Sequence, residues 1–86
     1  MRYVFLSKGW EDYQHWMDND RQMLRRLNRL IMECNRTPFD GIGKPEPLRD
    51  DFAGWWSRRI DDEHRLVYRV NGDDLIIAQC RYHYHK

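Results

Sequence analysis

The spacing of apolar and polar residues predicts a strand and then a helix at the start of the chain. Residues 2–6 are rich in strand-forming side chains and predict a first strand. Ser7 follows and suits a helix N-cap. The apolar residues that recur at helical spacing over residues 8–19 are Trp10, Tyr13 and Met17.

A second amphipathic helix is predicted after Asp20, whose carboxylate can cap its N-terminus. The residues that form its apolar stripe are Leu24, Leu27, Ile31 and Cys34. An i, i+4 row of arginines runs beside that stripe and consists of Arg21, Arg25 and Arg29. We therefore expect this helix to bury one face and to leave a basic row near solvent.

The second half of the chain predicts a sheet. Prolines and glycines interrupt residues 36–47, which we expect to form a loop. Strand patterns follow over residues 54–60, over 64–70, and from 75 to about 84, with Asn71-Gly72 at the last turn. This order of elements predicts an α+β fold, in which two N-terminal helices pack on one face of a mostly antiparallel twisted sheet.

The register of the last hairpin decides which side chains share a face. A two-residue loop would place Arg65 on the face of Ala78 and Cys80. A three-residue loop would place it on the face of Arg81 and His83, and would unite the apolar rows of both strands. The three-residue loop gives the more coherent core and is the one we expect, although a β-bulge would have the same effect.

Length and composition narrow the class of protein. The 86 residues predict a single domain over 1–86. The net charge of +1 is not that of a strongly basic nucleic-acid binder, but twelve of the fifteen cations are arginine, which suits paired phosphate contacts. Most of these arginines we expect only to solvate helix faces. Two cysteines, no signal segment and no membrane-length apolar run predict a cytoplasmic protein without membrane contact.

Three residues match the needs of RNA cleavage by the 2′-hydroxyl, which requires a base, an acid and a cation. Glu46 lies between two prolines that favour an extended backbone, and its carboxylate can act as the base. His83 carries an imidazole, the side chain best suited to donate a proton at neutral pH. Arg65 can hold the phosphate with paired donors.

Each of these residues also has an ordinary structural explanation. Glu46 could be an exposed glutamate in a turn, and His83 an exposed histidine near the end of the chain. Arg65 could form a cross-strand salt bridge with Asp74 or Glu63. For Glu46 and His83 taken singly, the structural explanation is the stronger one.

Other side chains extend this candidate site. Arg49, Arg59 and Arg81 could follow the RNA backbone, whereas Arg58 alternates with Arg59 and should face the other way. Trp55 and Trp56 alternate in the same manner, so one should lie in the core while the other is available to stack on a base. Tyr84 could steady the phosphate or stack on a base, and packing at the sheet edge is its ordinary structural explanation.

A metal site is not expected. Cys80, His83 and His85 are close in sequence, but strand alternation should put Cys80 on the opposite face from the two histidines. We therefore predict chemistry without a metal or another cofactor.

Six ordered blocks along the chain resemble the YoeB family of toxins, which belongs to the RelE superfamily. The blocks are Trp10-Glu11-Asp12-Tyr13, Arg36-Thr37-Pro38-Phe39, Gly43-Lys44-Pro45-Glu46-Pro47-Leu48, Trp56-Ser57-Arg58-Arg59-Ile60, Glu63-His64-Arg65-Leu66-Val67-Tyr68 and Cys80-Arg81-Tyr82-His83-Tyr84. The family pattern commonly ends at the tyrosine matching Tyr84, whereas this chain continues with His85-Lys86.

The resemblance implies a microbial-ribonuclease-like fold and cleavage of messenger RNA in the ribosomal A site. It implies that Glu46 is the general base, His83 the general acid and Arg65 the phosphate clamp, with Tyr84 assisting. It further implies a YefM-type antitoxin, a homodimer, and contact with operator DNA only through the antitoxin. The alternatives are a non-cleaving translation inhibitor, an antitoxin-dependent transcriptional corepressor and, more weakly, a structural or metal-binding domain.

Overall fold

The computed structural model describes residues 1–83, in which two α-helices pack against a five-stranded sheet. The elements in chain order are β1 Arg2–Phe5, α1 Ser7–Asn19, α2 Arg21–Arg36, β2 Glu46–Pro47, β3 Trp56–Arg59, β4 Arg65–Asn71 and β5 Asp74–Gln79. The strands lie in the order β1-β5-β4-β3-β2, with β1 parallel to β5 and the other pairs antiparallel. The predicted α+β architecture is confirmed.

The predicted N-cap is confirmed for α2, whereas the N-cap of α1 lies one residue earlier than predicted. Asp20 caps α2 by accepting a hydrogen bond from the backbone N–H of Met23 at 3.2 Å, as expected. The N-cap of α1 is Leu6 instead of Ser7, and no side chain caps it. The backbone N–H of Leu6 donates to the carbonyl of Ile77 at 2.9 Å, so the sheet holds the chain up to the first helical residue.

The hydrophobic core lies between the two helices and one face of the sheet. Three of the four predicted stripe residues of α2, Leu27, Ile31 and Cys34, are buried in it. Leu24 is only partly buried, while Leu30, which the stripe did not include, is fully buried. The sheet contributes buried side chains from β4 and β5, namely Leu66, Tyr68, Leu75 and Ile77.

The segment predicted as a loop over residues 36–47 ends in a strand. In β2, Glu46 pairs with Ser57 and Pro47 pairs with Trp56. The prediction was wrong here because prolines normally interrupt strands. This strand lies at the sheet edge, where a proline does not cost a ladder hydrogen bond on the unpaired side.

The β4–β5 hairpin has a two-residue loop, so the expected three-residue loop is wrong. Asn71 pairs with Asp74, and the intervening Gly72 has a φ of 60°, a conformation that favours glycine. The register then shifts, because Tyr68 pairs with Ile77 whereas Val67 pairs with Gln79. This β-bulge, the alternative to the longer loop, lets both apolar rows enter one core.

Strand β5 ends at Gln79, several residues before the predicted end near Tyr84. We call residues 80–83 the C-terminal segment. Side chains of α1 hold its first residue, since Asp12 Oδ2 accepts from the Cys80 N–H at 3.0 Å and Trp16 Nε1 donates to the Cys80 carbonyl at 2.8 Å. Strand alternation therefore does not determine where Arg81 and His83 point.

Arg58 links the connection between α2 and β2, residues 37–45, to the sheet by hydrogen bonds. Its side chain is fully buried and donates to the Tyr68 hydroxyl at 3.1 Å. It also donates to three carbonyls of the connection, those of Thr37, Asp40 and Ile42. Burial raises the pKa of Tyr68 to about 12, against the opposing effect of its hydrogen bond with Arg58.

Within residues 1–83, no helix is long and apolar enough to cross a membrane.

Candidate active site

The pairing of four strands places Glu46 on the sheet face that points away from the helices. Glu46 pairs with Ser57, Ser57 with Val67, and Val67 with Gln79. Directly paired residues project to the same face of a sheet. Since Tyr68, the neighbour of Val67, projects into the helix-side core, this row of four projects to the opposite side.

Arg59 and Arg65 are paired with each other and form the next row on the same face. We call the sheet face that carries these two arginines and the row of Glu46, Ser57, Val67 and Gln79 the outer face; Ser57 and Val67 are themselves buried on it. Glu46 and Arg65 are two strands and two residues apart, which corresponds to about 12 Å between their Cα atoms. Their long side chains can approach a ligand that lies between them.

Hydrogen bonds orient the Arg65 guanidinium. Its Nη1 donates to the carbonyls of Asp61 at 2.7 Å and His64 at 3.1 Å. The acids proposed as its salt-bridge partners make other contacts, because Asp74 binds Arg2 at 2.7 Å and Glu63 lies 3.5 Å from His64. The orientation of Arg65 therefore comes from backbone carbonyls.

The C-terminal segment, which carries His83, is attached beside Arg65. The backbone N–H of Arg65 donates to the carbonyl of Tyr82 at 2.9 Å. The side chain of Gln79, a member of the outer face, donates to the carbonyl of His83 at 2.9 Å. His83 itself is exposed. The backbone of the candidate acid is thereby held next to the candidate clamp.

The three accessory arginines occupy different positions. Arg59 is exposed on the outer face while Arg58 projects into the core, so the predicted alternation of these two residues is confirmed. The Arg81 guanidinium carbon lies 4.6 Å from the centre of the Tyr82 ring, and its buried Nε has no hydrogen-bond partner among residues 1–83. Arg49 is exposed outside the sheet, at the N-cap of the 3-10 turn Asp50–Phe52.

The two adjacent tryptophans also separate as predicted. Trp56 packs against the helix-side core and lies 4.8 Å from the ring of Phe39. Trp55 is half-buried, and the Arg69 guanidinium lies 5.9 Å from its ring centre. Stacking of either ring on an RNA base stays a prediction.

Tyr84 and His85 lie outside the described residues, so their predicted roles are untested. In the described part of the chain, no group of three histidine, cysteine or acidic residues is arranged to hold a metal ion. Cys80 is buried, and desolvation raises the pKa of its thiol above the usual range. An inert buried thiol fits a structural role for this cysteine.

His64 has contacts that the sequence did not indicate. Its Nδ1 accepts a hydrogen bond from the backbone N–H of Tyr82 at 2.7 Å. Its ring packs edge-on against Trp16, with 4.8 Å between ring centres. The one available signal was its position directly before Arg65, but only the folded chain brings Tyr82 to it.

The outer face combines the groups that acid–base chemistry at a phosphate requires. It offers an exposed carboxylate and a hydrogen-bonded guanidinium, with an exposed imidazole on the segment bound beside them. Such a set can accept a proton, stabilise negative charge and return a proton without a further cofactor.

Comparison with known proteins identifies a family and similar sequences. The sequence profile of one family, described as the YoeB-like toxin of the bacterial type II toxin-antitoxin system, matches residues 5–84. The Toxin YoeB of Streptomyces coelicolor is 60% identical over 84 residues, which covers 98% of this chain and 100% of that protein.

Solved structures agree with the sequence comparison. A YoeB/ParE toxin from Agrobacterium tumefaciens is 51% identical with a TM-score of 0.95, covering 98% of this chain and 100% of that one. YoeB of Staphylococcus aureus was solved as a dimer and in a heterotetrameric complex with YefM. In both cases it is 41% identical with a TM-score of 0.91, and 98% of each chain is covered.

Proposed function

This chain belongs to the YoeB-like toxins of bacterial type II toxin–antitoxin systems, and we propose that it is a metal-independent endoribonuclease. It cleaves messenger RNA in the ribosomal A site and thereby inhibits translation. One observation carries the proposal: Glu46 and Arg65 project from the same sheet face, and the segment that carries His83 is hydrogen-bonded to that face.

The proposed reaction transfers two protons around one phosphodiester. The Glu46 carboxylate takes the proton of the 2′-hydroxyl, and the 2′-oxygen attacks the adjacent phosphorus. Arg65 stabilises the extra negative charge of the phosphorane with its N–H donors. The His83 imidazolium donates its proton to the leaving 5′-oxygen, which gives a 2′,3′-cyclic phosphate and a 5′-hydroxyl. Tyr84 assists at the phosphate.

The substrate and the partners follow from the same proposal. Arg49, Arg59 and Arg81 contact the phosphates on either side of the cleaved linkage. A YefM-type antitoxin binds the toxin, and a homodimer forms, as the Staphylococcus aureus structures support for a 41% identical relative. Operator DNA is contacted only through the antitoxin. The site of action is the cytoplasm, where ribosomes and messages meet.

The test is cleavage of a message on programmed ribosomes, with new 5′ ends mapped by primer extension. Wild type is compared with Glu46→Gln, Arg65→Lys and His83→Gln. We expect each variant to lower the single-turnover rate by about 10²- to 10⁴-fold, because each lacks a transition-state interaction. Glu11→Gln, an exposed change on α1, is the matched control and should cleave at the wild-type rate.

A second arm replaces the ribose at the cleaved position by 2′-deoxyribose. This message should remain intact, because the attacking oxygen is missing. Efficient cleavage of the deoxy message, or full activity of His83→Gln, would exclude the proposed mechanism. Intact but stalled messages would favour the non-cleaving inhibitor or the corepressor instead.

A further inference from the structure

We propose that His64 is a positioning residue, which holds the C-terminal segment in place by accepting the Tyr82 N–H at its Nδ1. The inference rests on the proposed function, in which the next residue, His83, is the general acid. Residues 64 and 65 would then act together: His64 sets the position of the acid, and Arg65 clamps the phosphate.

The C-terminal segment depends on individual hydrogen bonds because it has left the sheet. Strand pairing ends at Gln79, and Asp12 and Trp16 bind only the first residue of the segment, Cys80. Beyond that point, the described contacts of the backbone are those of Tyr82 with His64 and Arg65, and the bond from Gln79 to His83. Loss of one of these bonds should therefore shift the imidazole of His83.

Tyr82 needs such support because its backbone is in an unfavourable conformation. Its φ is 62°, in the left-handed region that residues with a Cβ rarely adopt. Its N–H binds His64 at 2.7 Å and its carbonyl binds the Arg65 N–H at 2.9 Å. Both backbone polar groups of Tyr82 thus have hydrogen-bond partners. The left-handed conformation of Tyr82 sets the direction of the backbone at His83.

The hydrogen bond also specifies which nitrogen of the His64 ring carries the proton. Nδ1 can accept the Tyr82 N–H only if it carries no proton, so the neutral ring must be protonated at Nε2. Nε2 lies 3.5 Å from Glu63 Oε1, which favours a proton there. The side chain is only 12% exposed, and the edge-on contact with Trp16 restricts ring rotation.

The matched variants separate the hydrogen bond from the packing of the ring. His64→Asn keeps an acceptor near the position of Nδ1, whereas His64→Leu keeps bulk without an acceptor. His64→Gln places its amide nearer to the position of Nε2 and should not restore the bond. His15→Leu is the control, since His15 also packs edge-on against Trp16 at 4.8 Å between ring centres and belongs to a different element.

The kinetic arm measures single-turnover cleavage on programmed ribosomes as a function of toxin concentration. We expect His64→Leu and His64→Gln to lower the maximal rate by about tenfold to a hundredfold, with less than about a twofold change in the half-saturating concentration. His64→Asn should stay within about threefold of wild type, and His15→Leu should match it. Equal maximal rates for wild type and His64→Leu would overturn the proposal.

The second arm uses NMR of the ¹⁵N-labelled toxin and needs no catalysis. Long-range correlations should show His64 protonated at Nε2 near neutral pH, and the Tyr82 amide should exchange slowly. That protection should be lost in His64→Leu and retained in His64→Asn. A proton at Nδ1 of His64 would overturn the proposal. If wild type fails to cleave, the proposed function fails, and this arm alone decides whether His64 holds the segment.

Discussion

Two adjacent arginines show how much depends on a single residue position. Arg58 is fully buried and donates to four oxygens, whereas Arg59 is exposed on the outer face. The bond to the buried Tyr68 hydroxyl lies in the core, and the three carbonyl bonds are partly buried, so their acceptors would regain only part of their hydration if the guanidinium were lost. The planar guanidinium with five donors is suited to this position in a way that an ammonium group is not.

We predict that Arg58→Lys lowers the free energy of unfolding by about 2–4 kcal/mol, because lysine cannot reach all four acceptors. Urea denaturation followed by tryptophan fluorescence measures the change. Arg59→Lys, the same substitution one residue further along β3, should change stability by less than about 0.5 kcal/mol. Equal effects of the two substitutions would contradict the structural role of Arg58.

At the scale of elements, the close approach of α1 to β5 depends on a glycine within the helix. A Cβ built on Gly9 would lie 2.5 Å from the carbonyl oxygen of Ile77, and this oxygen belongs to the backbone of β5, an interior strand of the sheet. The same strand carries the bulge that redirects the chain toward Cys80. The close packing of α1 and the path of the C-terminal segment therefore both depend on the backbone of β5.

Gly9→Ala should lower the free energy of unfolding by about 1–3 kcal/mol, although alanine is the better helix former by about 1 kcal/mol. The helix must move away from Ile77 to accept the methyl group. Thermal and urea unfolding provide the measurement. Gln14→Ala, at an exposed position of the same helix, is the control and should be neutral or slightly stabilising. A stabilised Gly9→Ala variant would show that α1 does not sit this close.

At the largest scale, three acidic groups in the core formed by residues 1–83 stay protonated at neutral pH. Burial raises the pKa of Cys34 to about 11 and that of Tyr68 to about 12, and it raises the pKa of Cys80 above the usual range. The unfolded chain loses these protons from about pH 9 for thiols and pH 10 for tyrosine. The folded protein therefore binds more protons than the unfolded chain at alkaline pH.

The stability of the protein should accordingly fall as the pH rises above about 9. The slope should approach about 1.4 kcal/mol per pH unit for each group that is ionised only in the unfolded chain. Urea denaturation at pH 8 to 10.5 measures it. Cys34→Ala should be less stable at pH 8 but show a shallower slope, whereas Tyr3→Phe, at an exposed tyrosine, should keep the wild-type slope. A flat profile up to pH 10.5 would contradict this prediction.

Much of the fold could be predicted from the sequence, because many of its elements are specified by residues close together in the chain. The existence of α1 and α2, the Asp20 cap and the turn at Gly72 depend on residues close in sequence, although Trp10 and Met17 of the predicted α1 stripe are exposed. The opposite directions of Arg58 and Arg59 follow from alternation within one strand. The candidate site residues were found from chemical type and from family resemblance, and neither of these places side chains in space.

Local patterns in the chain thus predict the order and type of most elements and the set of reactive groups. Long-range packing is what makes Glu46 part of an edge strand, aligns Val67 with Gln79 through a bulge, and takes the chain out of the sheet before His83. These features depend on hydrogen bonds between residues distant in sequence, such as Tyr82 with His64. The free energy of such contacts exists only when the rest of the fold is formed, so no local pattern records it.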